Sequence, residues 1–470
     1  MRTSPRQPAP TRNGSLRRRL LDKEAMLAVF QRELPAMASG PIRVSRCSIQ
    51  PASRRNGHRD RRHRIVYRVT VRAPGGSRWE HTVVATAPVS ADFLSPELLY
   101  LCRVAKQQQA VQPFTRLATY VEDLEMGLLL LPIDPALPGL VEITGKDRGK
   151  LLSPHLEECN GGGVVRRADW KVQRYRPARR CDLSLDVTVE AAGTLRQCVV
   201  LVTIYADDRG ALHHRNLNEV WAFARKTPSL RLPRPLGYDA EHRLLFTGPV
   251  GRRLAGHWIK RLARNHPLPK GVDLARVERC LAAAARALTE LQQGNLALSE
   301  ERTFRGELAH LHRNIECVRS ARPAASSACE QLLESLGGQP VDDEQLCPAH
   351  GRFRPDRLAG EDGDLTILGW EAACLASPAF DAATFLGQLR NVSLSAAEGT
   401  EALEHLAGVF RREYLQAGPA TNSRELAVYE ALVLARHALQ AARGAGHSSG
   451  VVSGRVLRLA EAGLQRLEDA

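Results

Sequence analysis

The residues with the clearest potential for chemistry lie between His350 and Leu358. Three of them are arginines, Arg352, Arg354 and Arg357. A guanidinium group binds phosphate oxygens in a bidentate manner and needs no metal ion to do so. The segment therefore suggests a site for a nucleotide or another phosphorylated ligand that binds without Mg²⁺.

Two acids accompany these arginines, Asp356 within the segment and Glu371 a short distance after it. A carboxylate can accept a proton as a general base or hold a metal ion, so both acids are candidates for a catalytic role. The alternative is structural. In that case both acids accept hydrogen bonds within their loop, and the arginines pair with surface acids such as Glu361 and Asp362.

The elements that would carry this segment follow from the pattern of apolar residues. Apolar and polar residues alternate from Ile65 to Val71, a turn follows at residues 74–76, and a second apolar run begins at Val83. This pattern predicts a β-hairpin. A similar pattern returns between Val187 and Tyr205 and predicts another.

The two β-rich stretches align with each other along the chain. Tyr67 to Val71 match Leu185 to Val189 at a step of 118 residues. Leu128 to Leu130 match Leu244 to Phe246 at a step of 116. A nearly constant step over this length indicates two structurally related units.

Helices are predicted at both ends of the chain. Residues 1–20, rich in Pro, Arg and Ser, are expected to form a disordered basic tail, and a short helix is expected from Leu21 to Leu34. Beyond Gly251 the pattern becomes helical, and Asp273 is placed to cap a helix that ends at Gly294. Three more predicted helices close the chain: Ala402 to Tyr414, Glu425 to Ala442 and Arg455 to Leu467.

This order of elements, with five short motifs, resembles the aminoglycoside phosphotransferases, a family with the protein kinase-like fold. Leu232 to Phe246 resemble that family's strand into the hinge between lobes, and Gly248 to Leu254 resemble its hinge turn. His350 to Leu358 stand where the family has its catalytic loop, HGDxxPxNL. Leu365 to Glu371 stand where it has the metal-binding strand LxLIDWE, and Ser377 to Asp381 match the DPAxD that follows.

The resemblance implies a bilobal α+β fold, with an antiparallel sheet in the N-lobe and a helical C-lobe. The first β-rich stretch is then an additional unit that resembles a duplicated N-lobe. We expect this N-terminal unit over residues 21–150, the N-lobe over 164–250 and the C-lobe over 251–470.

Four positions that phosphoryl transfer requires are substituted in this chain. The family's catalytic Asp falls on Arg352, its metal-binding Asn on Arg357 and its metal-binding Asp on Gly369. Its phosphate-holding Lys falls on Thr203, and the upstream copy has Ala85 in the equivalent position. Because arginine cannot act as a base and offers no oxygen to a metal, neither base catalysis nor Mg²⁺ binding is expected here.

The resemblance also assigns roles to Thr203 and to four further positions. It places Thr203, Phe246 and Gly248 beside the bound ligand. It implies that His350 and Asp381 are structural residues of the catalytic loop, that His350 holds this loop by hydrogen bonding and that Asp381 caps a helix. These are expectations for the structure to test.

The net charge of the chain is concentrated at one end. The chain of 470 residues has a formal charge of +15, and residues 1–80 hold 19 Lys and Arg against 5 Asp and Glu. Such a segment can attract nucleic acid, an acidic membrane surface or an acidic protein partner. The alternative is a solvated tail.

Other features of the sequence bound its class. No stretch reaches the roughly 20 apolar residues of a membrane helix, and the ten cysteines lack metal-ligand spacing. We expect a cytoplasmic protein that has no membrane span and holds no metal. The Arg-rich start, Met1 to Leu21, contains no Asp or Glu and leaves a mitochondrial transit segment as an alternative.

The sequence therefore favours a degenerate phosphotransferase, a pseudokinase that binds an unidentified small molecule or protein. ATP bound without Mg²⁺ is the one cofactor that the residues leave open. The first alternative is an active ATP-dependent small-molecule kinase that uses Asp356 or Glu371 in altered roles. The second is a basic protein that binds nucleic acid or a membrane surface.

Overall fold

Two five-stranded sheets and the helices around them form most of the computed structural model. It describes residues 12–50, 62–108, 113–160, 163–248, 255–319, 323–361, 364–395, 400–418, 420–442 and 449–468. These residues divide into two compact units. The first unit comprises the residues up to Gly210 together with Tyr238–Phe246, and the second comprises Ala211–Gly237 and the residues from Thr247 onward.

The expected α+β class is confirmed, since antiparallel sheets and many helices are present. The observed units differ from the expected domains. Residues 211–237, expected in the N-lobe, belong to the second unit. The reason is packing, because Leu217, Val220 and Leu232 are buried in the apolar core of that unit.

The first sheet contains the predicted hairpin, in which β2 and β3 pair antiparallel with Tyr67 opposite Val83. Its strands are β1 Arg43–Ile49, β2 His63–Arg72, β3 Arg78–Ala87, β4 Ala118–Val121 and β5 Met126–Leu130. They run in the spatial order β1-β2-β3-β5-β4.

The helices of this region are α1 Arg12–Leu21, α2 Lys23–Met37, α3 Pro96–Gln107, α4 Gly139–Thr144 and α5 Arg148–Asn160. Tyr67 is buried and meets the ring of Phe30 with 5.1 Å between centroids, so α2 covers one face of the sheet.

The prediction of a disordered tail over residues 1–20 is wrong for its second half. Helix α1 occupies Arg12–Leu21, and Leu20 near its end is buried. The backbone carbonyl of Leu20 accepts a hydrogen bond from the hydroxyl of Tyr67 in β2. This contact with the sheet orders a segment whose composition alone indicates disorder. Residues 1–11 lie outside the described residues.

The second sheet repeats the topology of the first. Its strands are β6 Val164–Arg176, β7 Arg180–Ala191, β8 Thr194–Tyr205, β9 Pro235–Asp239 and β10 Leu244–Thr247. Their spatial order is β6-β7-β8-β10-β9. Helix α6, Arg209–Ala224, follows the third strand just as α3 does in the first sheet. The two sheets thus share one strand order and one helix position, as two related units require.

The strand register aligns the two sheets residue by residue. Tyr67 pairs with Val83 in the first sheet. The residue aligned with Tyr67 in the second sheet, Leu185, pairs with Val200. The chain between the paired residues is therefore one residue longer in the first sheet. As a result, aligned residues differ by 118 in number between β2 and β7, but by 117 between β3 and β8.

The second unit is largely helical. Its complete helices are α7 Ala255–Leu262, α8 Leu274–Gln292, α9 Phe304–Arg319, α10 Pro323–Gly337, α11 Ala379–Ser393, α12 Thr400–Gln416, α13 Ser423–Ala442 and α14 Ser449–Glu468. The predicted cap of α8 is confirmed, since the Asp273 carboxylate accepts a hydrogen bond from the Arg276 N–H at 2.7 Å. The three predicted closing helices are also present, each with slightly wider bounds. Among the described residues, no helix has the length and apolarity needed to cross a membrane.

Short strands carry the candidate loop of the second unit. They are β11 Glu301–Arg302, β12 Cys347–Ala349, β13 Leu358–Glu361, β14 Asp364–Ile367 and β15 Cys374–Ala376. Strand β12 ends directly before His350, and β13 and β14 form an antiparallel hairpin in which Leu358 faces Ile367. The loop therefore connects two small sheets, one ordered β11-β15-β12 and the other formed by β13 and β14.

Four helices of this unit meet at one buried carboxylate. Glu430 of α13 pairs with Arg390 of α11 at 3.0 Å, with Arg411 of α12, and with Arg466 of α14 at 3.8 Å. The side chain of Glu430 is 2% exposed. A carboxylate buried to this degree requires positive partners, and here they come from three neighbouring helices.

Candidate functional site

The loop after β12 is held by one buried acid. Asp381, in the first turn of α11, accepts hydrogen bonds from the backbone N–H groups of His350 at 2.5 Å, Gly351 at 3.2 Å and Phe353 at 3.3 Å. Burial raises the pKa of Asp381 to about 6, and the three hydrogen bonds oppose this rise. These contacts agree with the prediction that Asp381 is a structural residue of the loop. The predicted helix cap is absent, because the carboxylate faces the loop and the N-cap of α11, Pro378, makes no side-chain hydrogen bond.

His350 is fully buried and ties the loop to the following strand. Its Nε2 atom donates to the carbonyl of Leu368 at 3.0 Å, and its Nδ1 atom accepts from the N–H of Arg352 at 3.2 Å. These partners fix the neutral tautomer. Burial, aided by the charge of Arg357, lowers the pKa of His350 to about 3. The imidazole is therefore a neutral structural group over the physiological pH range.

The positions that the resemblance assigns to metal ligands hold a cation instead. Gly369 has φ +88°, and a β-carbon at this residue would lie 2.5 Å from Nη1 of Arg357. The Nη2 atom of Arg357 lies 3.7 Å from Oε1 of Glu371. The guanidinium thus occupies the space above Gly369 and is paired with the nearest acid. These residues do not fit Mg²⁺, because a fixed positive charge stands where oxygen ligands are needed.

The remaining candidates of the loop are also engaged. Nη2 of Arg354 lies 2.9 Å from Oδ2 of Asp356, in a partly exposed ion pair. Arg352, at the position of the family's catalytic base, is half-buried. The sequence suggested Glu361 and Asp362 as alternative partners for the arginines. The ion pairs described in the structure use Asp356 and Glu371, and Asp362 lies outside the described residues.

Two residues that support the loop, Arg302 and Gly256, were not identified from the sequence motifs. Arg302 in β11 donates from Nη1 to the carbonyl of Gly351 at 3.1 Å, and its guanidinium lies 5.9 Å from the ring centre of Phe380. Gly256 in α7 allows that helix to touch the loop, since a β-carbon there would lie 2.5 Å from Cα of Asp356. A glycine inside a predicted helix is a signal for such close packing.

Thr203 of β8 belongs to a polar cluster in the first unit. Its hydroxyl donates to Oδ1 of Asp182 at 3.3 Å, and the same oxygen lies 2.5 Å from Nε of Arg180. The register aligns Thr203 with Thr86 of the first sheet. The sequence alignment placed Ala85 there. That assignment is off by one residue, and a one-residue slip moves the side chain to the other face of a sheet.

The other two predicted ligand positions lie in different units. Phe246 is fully buried in the first unit and stacks on His155 with 4.2 Å between ring centroids. Gly248 lies in the second unit, where its N–H donates to the carbonyl of Arg234 at 2.9 Å. The hinge motif continues over residues 249–254, which lie outside the described residues.

The second unit therefore unites His350, Arg357, Gly369, Glu371 and Asp381 in one continuous network. Across the described residues, no group of three or more His, Cys, Asp or Glu side chains is arranged to hold a metal ion. Chemically, this network can position the loop backbone and present guanidinium groups. It has no unpaired acid in a position to act as a base.

Comparisons with known proteins give a remote likeness. No protein-family model and no curated protein sequence matches the chain. A macrolide 2'-phosphotransferase of Brachybacterium faecium is 15% identical, with 68% of this chain and 98% of that chain covered and a TM-score of 0.41. A choline kinase of Streptococcus pneumoniae is 12% identical, with 68% and 100% covered and a TM-score of 0.41. These neighbours are small-molecule phosphotransferases, and at such identities and TM-scores the likeness carries no argument about what this chain does.

Proposed function

We propose that this protein has lost phosphoryl transfer and acts by binding a ligand or a partner. The observation that carries the proposal is the position of Arg357, which lies over Gly369 and pairs with Glu371. Phosphoryl transfer depends on metal ions that neutralise the phosphates and on an acid that orients the acceptor hydroxyl. Here a guanidinium replaces the metal ligands, and arginine replaces the acid at Arg352.

The alternative is an active kinase that uses Asp356 or Glu371, and both acids argue against it. Asp356 is paired with Arg354, and Glu371 is paired with Arg357 in a largely buried site. In each ion pair a fixed positive charge lies at the carboxylate that would have to bind Mg²⁺ or orient the acceptor hydroxyl. Each acid is therefore engaged with an arginine, which disfavours Mg²⁺ at the same carboxylate.

The proposal includes a metal-free mode for phosphate ligands. The side chains of Arg354 and Arg357 keep 30% and 19% of their surface exposed, so part of each side chain is accessible to a ligand. A guanidinium held by a neighbouring carboxylate is preorganised for a second anion. ATP binding, if it occurs through this loop, is then independent of Mg²⁺.

An assay of ADP release tests the loss of transfer. The full chain is incubated with ATP, Mg²⁺ and a panel of hydroxylated acceptors, beside the variants Asp356→Asn and Glu371→Gln. We expect no turnover above the protein-free background for any of the three proteins. Turnover by the natural chain that disappears in either variant would establish the active-kinase alternative and overturn the proposal.

A thermal-shift titration tests the binding mode separately. ATP is added with Mg²⁺ or with EDTA, and Arg357→Gln serves as the variant with Arg313→Gln as an exposed control on α9. We expect equal stabilisation by ATP in both conditions, and a smaller shift for the Arg357 variant only. Stabilisation that requires Mg²⁺ would contradict the metal-free mode, and so would the absence of any shift.

A further inference from the structure

One face of the first sheet carries a row of arginines. The register places Arg72 of β2 directly opposite Arg43 of β1 and, on its other side, directly opposite Arg78 of β3. All three residues are exposed. Side chains of directly opposite residues project from the same face of a sheet, with Cβ atoms about 5 Å apart. Three arginine side chains therefore project from a line about 10 Å long that crosses three strands.

Two more arginines extend this row into a patch. Arg68 lies four residues before Arg72 on β2, and Arg46 lies on β1 opposite Thr70. Both arginines are exposed, and the alternation of side chains along a strand places them on the same face as Arg72. Four residues of a strand span about 13 Å. We call the surface formed by Arg43, Arg46, Arg68, Arg72 and Arg78 the arginine face.

The arginine face has little negative charge of its own. Strands β1, β2 and β3 hold six arginines, at positions 43, 46, 64, 68, 72 and 78, and one acid, Glu80. Glu80 pairs with Arg78 at 3.1 Å, and both side chains are about half exposed, so water weakens this pair. In the described part of the chain, none of the other four arginines of the face forms an ion pair with an acid.

The row is unfavourable for folding, because like charges directly opposite each other destabilise a sheet. The second sheet has the same strand order but a different row, whose central residue, Glu190, pairs with Arg166 at 2.5 Å. The fold itself therefore does not require arginines here. The register aligns Arg43, Arg72 and Arg78 of the first sheet with Val164, Glu190 and Leu195 of the second.

The arginine face has no apolar or aromatic member. Its central Arg68 lies between Ser48 of β1 and Thr82 of β3. Trp79 projects from the opposite face, because it is paired with Arg72's buried neighbour, Val71.

This composition distinguishes between classes of acidic partner. Single-stranded nucleic acid binds to aromatic side chains that stack on its bases. Protein interfaces have an apolar core, and attachment to a membrane surface draws on buried apolar area as well as on charge. A face of arginines and hydroxyl groups instead matches a partner that presents closely spaced phosphates on its outside, as a nucleic-acid duplex does.

We propose that the arginine face binds the phosphate backbone of duplex DNA without reading its sequence. Each guanidinium can donate two parallel hydrogen bonds to one phosphate. The row of about 10 Å is long enough to reach phosphates on both sides of the minor groove of B-DNA, which is about 6 Å wide. This surface is separate from the loop at His350, because all five arginines belong to the first unit.

Fluorescence anisotropy of a labelled DNA duplex of about 20 base pairs, titrated with the full chain at several salt concentrations, tests the proposal. The variants are Arg68→Gln and Arg72→Gln. The matched control is Arg103→Gln, since Arg103 is exposed on α3 of the same unit and its loss changes the net charge equally. Thermal unfolding of each variant shows whether the fold is intact.

We expect saturable binding of two duplexes of unrelated sequence with nearly equal affinity. At about 0.1 M salt, Arg68→Gln and Arg72→Gln should each bind about tenfold more weakly, with a slope of log K against log salt that is shallower by about 1. The Arg103 variant should bind as the natural chain does. Because Arg72→Gln relieves repulsion within the row, its unfolding temperature should equal or exceed that of the natural chain.

Several results would overturn the proposal. One is the absence of saturable binding at the lowest salt concentration, and another is an equal loss of affinity in Arg103→Gln, which would mean attraction to net charge alone. Tighter binding of a single strand of the same length would exclude the duplex as the partner. Vesicles of equal parts phosphatidylcholine and phosphatidylserine, or polyglutamate, that bind through Arg68 and Arg72 while the duplex does not would assign the face to a membrane or to an acidic protein.

Discussion

Nη1 of Arg357 lies 2.5 Å from the point that a β-carbon on Gly369 would occupy. The two residues are therefore complementary. The large side chain of Arg357 fits in this position because Gly369 has no side chain. The resemblance to phosphotransferases assigns metal ligands to these same two positions. In this chain they hold an ion pair with Glu371 where the resemblance implies two oxygen ligands.

The complementarity of Arg357 and Gly369 predicts non-additive effects on stability. Gly369→Ala is expected to cost about 2–4 kcal/mol, because it adds strain at φ +88° and an overlap with the guanidinium. Arg357→Asn removes the overlap, so the double variant should be less destabilised than the sum by about 1 kcal/mol or more. Urea unfolding of the four proteins measures the coupling. Additive effects, within about 0.5 kcal/mol, would contradict the packing described here.

Gly351 offers a test of the loop backbone with a matched control. Gly351 and Gly418 have nearly the same φ, +73° and +72°, but a β-carbon on Gly351 would overlap with the carbonyl of Ala372, whereas Gly418 has no neighbour within 4 Å. Gly418→Ala is expected to cost about 1–2 kcal/mol from backbone strain alone. Gly351→Ala should cost at least about 2 kcal/mol more. Similar losses in thermal unfolding would show that the loop adapts to the added carbon.

His350 predicts a loss of stability in acid. Its pKa is lowered from 6.5 to about 3 in the folded protein, so the unfolded chain binds the proton more readily between these values. The free energy of unfolding contributed by His350 is therefore complete above pH 6.5 and is lost as the pH falls toward 3. In urea unfolding, the free energy of unfolding of His350→Gln should fall less between pH 7 and pH 5 than that of the natural chain. An equal fall would mean that the folded protein protonates His350 over the same pH range as the unfolded chain.

Asp381 predicts the opposite trend over an overlapping range. Its pKa is raised from 3.8 to about 6, so the folded protein binds the proton more readily between these values. Its contribution to stability is present below pH 3.8 and is lost as the pH rises through 6. Asp381→Asn removes this contribution. In the variant, the free energy of unfolding should therefore fall more steeply as the pH is lowered from 6 to 4. A shallower decline in the same unfolding series would contradict the direction of this shift.

Glu430 predicts a large effect away from the loop. Glu430→Gln leaves the guanidinium groups of Arg390, Arg411 and Arg466 without their shared carboxylate and is expected to cost about 3–5 kcal/mol. The control is Glu413→Gln, whose partner Arg286 is 54% exposed and whose loss should cost about 0–1 kcal/mol. Chemical denaturation compares the two. Equal and small losses would show that water replaces the carboxylate.

Several elements of this fold could be predicted because neighbouring residues determine them. The alternation around Tyr67 gave a correct hairpin, and Asp273 gave a correct cap for α8. The spacing of the two β-rich stretches indicated related units, whose sheets have one strand order. The tail was predicted less well, because helix α1 depends on Leu20 reaching the sheet.

The partners of the site residues could not be read from the chain. Asp381 was expected to cap its own helix, yet its carboxylate turns to a loop about thirty residues earlier. The aligned position of Thr203 was misjudged by one residue, because the strand register depends on a turn whose length differs between the copies. The row formed by Arg43, Arg72 and Arg78 had no motif at all, since its members come from three strands and their alignment depends on the register.

The sequence by itself determined which chemical groups are absent, because an arginine at 352 or 357 and a glycine at 369 have fixed chemistry in any fold. Only the tertiary structure decided what those residues do instead. Ion pairs and overlaps depend on distances through space between residues that the chain separates. The fold set Arg357 over Gly369 and beside Glu371, and in the other unit the strand register aligned three arginines in one row.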